Sequence, residues 1–183
     1  MQKNQPESLM LSANSAFTKL FSASSRPRTS AHRHEVREAA RIVFCIYHGI
    51  PVSGIREKNG QLIVHSDSDY IGGQGSGMLE YVEMLVSGAT AVQILFGGEN
   101  REMVDAILEA ERVYHLKEGF AFVDDGKFEA VTQKACKMAT FHLADPKMRS
   151  AIASATRFMA RLSRRVSEEE LNQLRQLVIR ALR

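Results

Sequence analysis

Residues 91–101 of the chain read Ala-Val-Gln-Ile-Leu-Phe-Gly-Gly-Glu-Asn-Arg, and they decide the fold that the sequence predicts. The short apolar run over Ala91–Phe96, closed by two glycines, is typical of a buried strand. Glycine takes a positive φ at no steric cost, so Gly97-Gly98 is suited to a tight turn. The spacing that follows is helical, so we expect a strand, a turn and then a helix over residues 100–115.

The start of this helix predicts a phosphate site. The backbone N–H groups of Gly97, Gly98 and Asn100 would point at a bound anion, where the helix dipole favours negative charge. Arg101 adds a bidentate donor. Glu99 could orient Arg101, hold a metal ion or act as a base. The alternative is a plain tight turn, in which Glu99 only complements the helix dipole.

The order of these motifs resembles the ParB/sulfiredoxin superfamily. The segment Gly98-Glu99-Asn100-Arg101 is similar to the G-x-x-R box, which usually reads Gly-Glu-Arg-Arg in ParB proteins. Ile50–Arg56 resembles the opening strand of ParB-type domains, Leu79–Gly88 the helix before the box, and Val92–Phe96 the strand that leads into it. The resemblance implies a small mixed sheet with flanking helices, in which the box binds phosphate groups.

The resemblance also implies a function. Sulfiredoxins carry their catalytic cysteine where this chain has Glu99, so sulfiredoxin chemistry is not expected. A small stand-alone member is a plasmid fertility-inhibition protein, an ATPase and DNase that blocks DNA transfer through a type IV secretion system. On this resemblance we expect ATP and Mg²⁺ as cofactors, with DNA, nucleotide and secretion components as partners. Glu99 and Arg101 would be the catalytic residues.

A second candidate site is the acidic and glycine-rich segment that begins at Asp67. Asp67 and Asp69 are spaced so that two carboxylates could hold Mg²⁺ together with phosphate oxygens. The N–H groups of the loop Gly72–Gly77 could then surround a phosphate. The alternative is a mobile surface loop without a ligand.

Charge is divided unevenly along the chain. Residues 1–41 have seven Lys and Arg and three acids (+4), residues 42–133 six and fourteen (−8), and residues 134–183 eleven and four (+7). Clustered cations suit a polyanion such as DNA, although basic ends could instead fold against an acidic middle. The residues expected to contact DNA lie on one face of the helix from Pro146, which could also be a solvated face: Arg157, Arg161, Arg164 and Arg165.

The remaining patterns give an α/β (α+β) chain in three parts. Residues 1–32 read as a flexible basic arm, 33–131 as the α/β core, and 132–183 as a helical basic extension. Within the core, the pattern predicts a helix over 33–48 and a hairpin that turns at Asn59-Gly60.

Further elements are predicted from glycines and caps. A helix over 78–87 would end at Gly88, and a second hairpin would turn at Asp124-Asp125-Gly126. Of the three final helices, one has Asp145 as N-cap and another has a capping box that starts at Ser167.

Several classes of protein are not supported by the sequence. No long uncharged apolar run indicates a membrane span, and no secretion signal is recognisable, so the expected compartment is the cytoplasm. Cys45 and Cys136 favour buried free thiols over a disulfide. The six histidines are scattered and predict no metal site. The alternative functions are a non-enzymatic DNA-binding or adaptor protein, and a regulator that binds another protein through the C-terminal helices.

Overall fold

The computed structural model describes residues 30–71, 77–97, 101–118, 125–162 and 166–183. These residues form an α+β fold that is mostly helical, with six α-helices and one antiparallel pair of strands. In chain order the elements are α1 (Ser30–His48), β1 (Val52–Lys58), β2 (Gln61–Ser66), α2 (Met78–Phe96), α3 (Arg101–Glu118), α4 (Asp125–Ala144), α5 (Pro146–Met159) and α6 (Glu168–Leu182).

The first helix and the hairpin confirm the sequence prediction. Apolar side chains of α1 between Val36 and Cys45 are buried, and the helix ends one residue before Gly49, which has a φ of +72°. The strands β1 and β2 meet at Asn59 and Gly60, both with positive φ, as a two-residue hairpin turn requires. Because α1 begins at Ser30, the last residues assigned to the basic arm are helical; residues 1–29 lie outside the described part of the chain.

The strand predicted over Ala91–Phe96 is wrong, because these residues are the second half of α2. A short apolar run fits a buried strand and a buried helix equally well, and length decides between them. At 19 residues, α2 is buried on nearly all sides by α1, α3 and α4. It is long and apolar enough to cross a membrane by composition, and 78% of its most apolar window is buried within the fold.

Gly88 lies in the middle of α2 and does not end the helix. A Cβ built at this position would lie 2.7 Å from the carbonyl oxygen of Arg37 and 2.8 Å from its Cγ. The glycine therefore allows α1 and α2 to pack closely. The prediction that Gly88 ends the helix is wrong, because the residue serves helix packing instead.

The second hairpin is also not formed, because Asp125–Ala144 is the helix α4. Phe128 and Val131 pack against the core from one helical face, and the ring of Phe128 lies 5.3 Å from that of Tyr114. Five residues with alternating polarity also fit the first turns of an amphipathic helix, so tertiary packing decides the outcome. The first predicted strand of this hairpin, Gly119–Val123, lies outside the described residues.

Helix α3 forms where it is predicted but turns a different face inward. The spacing predicts Val104, Ile107 and Leu108 as its buried stripe. Val104 and Leu108 are 58% and 57% exposed, and Ile107 is only partly buried. The buried residues are instead Ala106, Ala110, Val113 and Tyr114. Small side chains on this face let α3 lie close to α2.

Both predicted helix caps near the C-terminus are confirmed. The carboxylate of Asp145 accepts the N–H of Lys147 at the start of α5, with Pro146 in the first turn. Ser167 and Glu170 form a complete capping box at the start of α6. Helices α5 and α6 pack on each other and on α1, and α4 crosses the boundary expected at residues 131 and 132. The C-terminal helices therefore share the core of the fold.

Candidate functional site

The predicted phosphate turn connects two helices instead of a strand and a helix. Gly97 ends α2 with a φ of +64° and donates its N–H to the carbonyl of Gln93. Arg101 begins α3 and is exposed. Gly98, Glu99 and Asn100 lie outside the described residues. The structure therefore places Arg101 at a helix start, as predicted, whereas the strand before the turn is absent.

Arg33 contacts residues on both sides of this turn, Gly97 and Glu102. The sequence pattern did not identify Arg33 as a site residue. Its guanidinium donates to Oε1 of Glu102 through Nε (3.2 Å) and Nη2 (3.0 Å), and its Nη1 lies 3.5 Å from the carbonyl oxygen of Gly97. Partial burial acts to raise the pKa of Glu102, but other contacts oppose it. Hydrogen bonds from its own backbone N–H and from Arg33, with the charges of Arg33 and Arg37, outweigh burial and lower that pKa. The start of α3 is thus tied to α1.

The predicted Mg²⁺ ligands Asp67 and Asp69 make local contacts instead of facing each other across a site. Oδ1 of Asp67 accepts the N–H of Asp69 at 2.9 Å and caps the 3₁₀ turn Ser68–Tyr70. Oδ1 of Asp69 lies 2.8 Å from Nζ of Lys117, whose hydrogen bond and charge lower the pKa of this exposed carboxyl. The glycines at 72–76 lie outside the described residues.

The predicted basic stripe is only partly a helix face. Met148, Ile152, Ala155 and Met159 are buried as expected, and Arg157 is exposed on the other side of α5. Helix α5 ends at Met159, so Arg161 lies beyond it, in a turn. Arg164 and Arg165 lie outside the described residues. The described part of the stripe therefore offers two exposed arginines at one end of a helix.

A cleft of about 670 Å³ lies beside the start of α3, between that helix, α1, α2 and β2. We call it the α1–α3 cleft. Its lining includes four cationic side chains, those of Arg37, Arg41, Lys58 and Arg112. It also includes three carboxylates, which follow one another along α3: Glu102, Asp105 and Glu109. The cleft thus reaches the first turn of the helix that the sequence identifies as a phosphate site.

The inner wall of this cleft is a buried network of charges. The carboxylate of Glu38 is fully buried and accepts hydrogen bonds from Nε of Arg37 (2.9 Å) and from the N–H of Val64 (2.9 Å). Nη1 of Arg41 lies 3.9 Å from the same carboxylate, and its Nη2 donates to Glu109 at 3.1 Å. Burial works to lower the pKa of Arg41, but the charges of Glu38 and Glu109 outweigh it and raise that pKa.

Arg41 is 8% exposed, and its Nε has no hydrogen-bond partner among the residues that the structure describes. A buried donor without an acceptor costs about 1–3 kcal/mol. Arg41 lines the α1–α3 cleft, but its Nε is enclosed by protein atoms. The sequence signal for this site is Arg41 itself, the one charge within the apolar run 39–46.

His34 also belongs to the network around Glu38. Its Nε2 donates to the carbonyl oxygen of Leu62 at 2.7 Å, and its Nδ1 accepts from Nη2 of Arg37 at 3.2 Å. Both contacts are satisfied by the neutral tautomer with the proton on Nε2. The pair His34 and Glu38, one helical turn apart, is therefore held by protein groups and joins α1 to β2.

A second buried cluster lies at the C-terminal end of α1, where three helices bring together His48, Glu83 and His142. The carboxylate of Glu83 is fully buried in α2. Its Oε1 lies 2.6 Å from Nδ1 of His142 in α4, and its Oε2 lies 3.2 Å from Nε2 of His48 in α1. The sequence predicted no metal site among the histidines. The available signal was Glu83, one of two charged residues in Met78–Phe96.

The two cysteines agree with the prediction of free thiols. Cys45 is buried and Cys136 is half-buried, and neither is in a disulfide. Burial raises the pKa of the Cys45 thiol to about 12, which the neighbouring Arg41 only partly opposes. Burial likewise raises the pKa of Cys136. Both side chains are therefore thiols at neutral pH and unsuited to act as nucleophiles.

Comparison of the chain with protein-family models, with curated proteins and with solved structures gives no match.

Proposed function

We propose that the protein binds a phosphate-bearing ligand, a Mg²⁺-nucleotide such as ATP, in the α1–α3 cleft. The observation that carries this proposal is the set of three arginines that line the cleft, Arg37, Arg41 and Arg112, of which Arg112 is exposed. Arginine is the side chain best suited to recognise phosphate oxygens, because its planar guanidinium donates in pairs.

The mixed charge of the cleft favours a metal-bound nucleotide over a bare anion. Four cations alone would attract any phosphate, but the three carboxylates of α3 would repel it. A bound Mg²⁺ resolves this conflict, since it prefers one or two carboxylates together with phosphate oxygens. In this proposal Asp105 and Glu109 face the metal ion, and Arg41 and Arg112 face the phosphates.

The size of the cleft is suited to such a ligand. Pockets for small molecules have volumes of roughly 300–1,000 Å³, and a nucleotide falls within this range. The volume of about 670 Å³ therefore leaves room for the base and the sugar beside the phosphates. Leu85, Ala89 and Val113 supply an apolar wall in the same cleft, against which a base can lie.

The ParB/sulfiredoxin-like architecture is a finer version of this proposal. It rests on the box Gly98–Arg101 and on the strand that opens at Ile50-Pro51, whereas the helix over Val92–Phe96 removes the strand before the box from the argument. In this version, Arg101 adds a phosphate contact at the mouth of the cleft. Glu99 acts as a base or a metal ligand, and Asp67 and Asp69 assist it.

The most specific version is an ATPase and DNase that inhibits plasmid transfer, similar in size and general design to the fertility-inhibition protein Osa. It adds DNA and type IV secretion components as partners, with contacts from the basic ends of the chain. Arg157 and Arg161 are exposed cations that support this version. The alternative without catalysis is a DNA-binding or adaptor protein that uses the same basic ends.

The test of the proposal is the affinity for Mg²⁺-ATP of the wild-type chain and of two matched variants. Arg112→Ala removes an exposed arginine that lines the cleft, and Arg180→Ala removes an equally exposed arginine of α6. We expect calorimetric titration to give about five- to tenfold weaker binding for Arg112→Ala only, because a charge-assisted contact is worth about 1–1.5 kcal/mol. Equal affinities in all three proteins would contradict the proposal.

Hydrolysis is measured with the same proteins. Phosphate release from ATP and nicking of plasmid DNA, each with and without Mg²⁺, separate an enzyme from a binding protein. Turnover that requires Mg²⁺ and decreases in Arg112→Ala supports an ATPase that acts in the cleft. Binding to DNA that is insensitive to Mg²⁺ and weakens steeply with salt, without turnover, favours the adaptor alternative.

A further inference from the structure

We propose that His48, Glu83 and His142 form a metal-binding site, with Zn²⁺ as the ion that the donor set fits best. The site is separate from the α1–α3 cleft and from the proposed nucleotide function. Its three donors come from three helices far apart in sequence, namely the last turn of α1, the first half of α2 and the last turn of α4.

The first argument is the number of buried polar atoms that lack a hydrogen bond. Oε2 of Glu83 and Nε2 of His48 lie 3.2 Å apart without the alignment of a hydrogen bond, and neither has another partner among the described residues. Both atoms are buried and point at the same small space. A cation between them would satisfy both at once, whereas the present pairing satisfies neither.

The second argument is charge. Glu83 is fully buried, and a buried carboxylate is costly unless it is paired with a cation. In the part of the chain that the structure describes, its ion-pair partners are two imidazoles, which carry a charge only when they are protonated. Either a proton or a metal ion therefore has to provide the positive charge. Two unaligned donor atoms favour the metal ion.

The third argument is geometry. Ligand atoms of a tetrahedral zinc site are roughly 3.3 Å apart, given metal–ligand distances of about 2.0–2.1 Å. One ligand atom from each of the three residues lies within 4.8 Å of the other two. Oε1 of Glu83 is 2.6 Å from Nδ1 of His142, and Oε2 of Glu83 is 3.2 Å from Nε2 of His48. The separation of 3.2 Å is close to that of two ligands of one ion, whereas the 2.6 Å contact is a hydrogen bond that would lengthen when a metal ion replaces its proton.

The donor set decides the class of metal. Two imidazoles and one carboxylate suit Zn²⁺ and similar transition metals, whereas Mg²⁺ and Ca²⁺ prefer oxygen donors. Three protein donors leave a fourth position for water or a substrate, as in catalytic zinc sites. The side chain of His142 is 18% exposed and lies beside the exposed Tyr47, so that position is accessible from the surface.

The experiment is Zn²⁺ binding to the full chain after removal of metal with a chelator. His142→Gln removes a donor at constant charge, and His115→Gln is the matched control at a histidine outside the cluster. We expect one Zn²⁺ per chain for the wild type and the control. The affinity of His142→Gln should be more than about a hundredfold weaker, since even loss of a supporting contact costs about 10–100-fold. Equal affinity in His142→Gln and the control, or no binding to the wild type, would overturn the proposal.

The wild-type chain also provides a test that does not depend on whether the variant folds. Co²⁺ in place of Zn²⁺ reports its ligands through its absorption spectrum. Visible bands of a four-coordinate ion without a sulfur charge-transfer band are expected from imidazole and carboxylate donors. A strong sulfur band would assign the ion to Cys45 or Cys136 and would overturn the proposal.

Discussion

Two carboxylates of this protein, Glu38 and Glu83, are both fully buried, and they differ in what surrounds them. Glu38 accepts hydrogen bonds from Arg37 and from the backbone N–H of Val64, with Arg41 close by. These donors are permanent, because arginine stays charged at any ordinary pH. Among the described residues, the polar groups paired with Glu83 are the imidazoles of His48 and His142. The first carboxylate is therefore satisfied by the fold itself, and the second depends on a proton or a metal ion.

The difference separates a structural charge from a candidate ligand. Glu38 joins α1 to the hairpin and fixes Arg41 at the wall of the α1–α3 cleft, so its contribution to function is indirect. Glu83 lies where α1, α2 and α4 meet, with an oxygen that has no hydrogen bond. Substitutions at the two positions should consequently have different effects on stability.

The largest effect is expected from Glu38→Gln. The neutral amide keeps an acceptor for Val64, but it leaves Arg37 without its carboxylate partner and Arg41 with Glu109 alone. Removal of one partner from a buried ion pair costs about 3–5 kcal/mol. Urea unfolding at pH 7 should show a decrease of this size in the free energy of unfolding. A change below about 1 kcal/mol, the range of surface ion pairs, would mean that the network is solvated.

A smaller effect is expected from Glu83→Gln in metal-free protein. The amide can still hydrogen bond to His142, and the two imidazoles can remain neutral, so no buried charge is left alone. The loss should be about 1–3 kcal/mol, the range for a buried hydrogen bond that is weakened. If urea unfolding shows that the free energy of unfolding decreases as much as in Glu38→Gln, the two carboxylates contribute equally to stability. The proposed difference between them would then be wrong.

Arg101→Ala tests whether the start of α3 contributes to nucleotide binding, without a change in the fold. Arg101 is exposed at the first position of α3, so its loss should leave the free energy of unfolding within about 0.5 kcal/mol of the wild type. A bidentate contact to phosphate is worth about 1.5–3 kcal/mol, hence a ten- to hundredfold loss of affinity for Mg²⁺-ATP is expected. Unchanged affinity by titration would remove Arg101 from the site.

Glu102 is a third carboxylate, and it is partly exposed. Its substitution should have the smallest effect on the free energy of unfolding. Its pKa is lowered in the folded protein, so it stabilises the fold above its unfolded pKa and loses this contribution as pH falls through the folded value. Because solvent screens the pair with Arg33, Glu102→Gln should cost about 1 kcal/mol or less at pH 7. Urea unfolding at pH 7 and near pH 3 is the measurement. The difference between wild type and variant should decrease as the pH falls below the unfolded pKa, and a difference that does not change with pH would exclude the ion pair as its cause.

The sequence correctly predicted the elements that begin or end at a recognisable turn or capping residue. Asn59-Gly60 fixes the hairpin, and the caps at Asp145 and Ser167 fix α5 and α6, because each depends on residues within a few positions. Gly88 and the run over Ala91–Phe96 could not be assigned in this way. Their conformation depends on α1 packing against α2, which a local pattern does not contain.

The candidate site residues divide in the same way, into those that a local pattern identifies and those that depend on contacts between helices. Arg101 is found at a helix start, because the glycines before it predict one. Arg33, Arg41 and Glu83 were missed as site residues, because each becomes significant only through a partner on another helix. For Arg41 and Glu83, a charge within an apolar run was the available signal, since such residues are seldom fully buried without a partner. Arg33 lies in a polar segment that gave no such signal.

The location of the bound nucleotide is the most direct test of the proposal that it binds in the α1–α3 cleft. An azido-ATP probe with Mg²⁺ labels side chains next to its base on illumination, and peptide mass spectrometry then identifies them. If the nucleotide binds in the α1–α3 cleft, the labelled peptides should come from its walls, α1, β2, α2 or α3, and the label should be lost when excess Mg²⁺-ATP competes. Label confined to α5 and α6, or label that excess nucleotide does not displace, would contradict it.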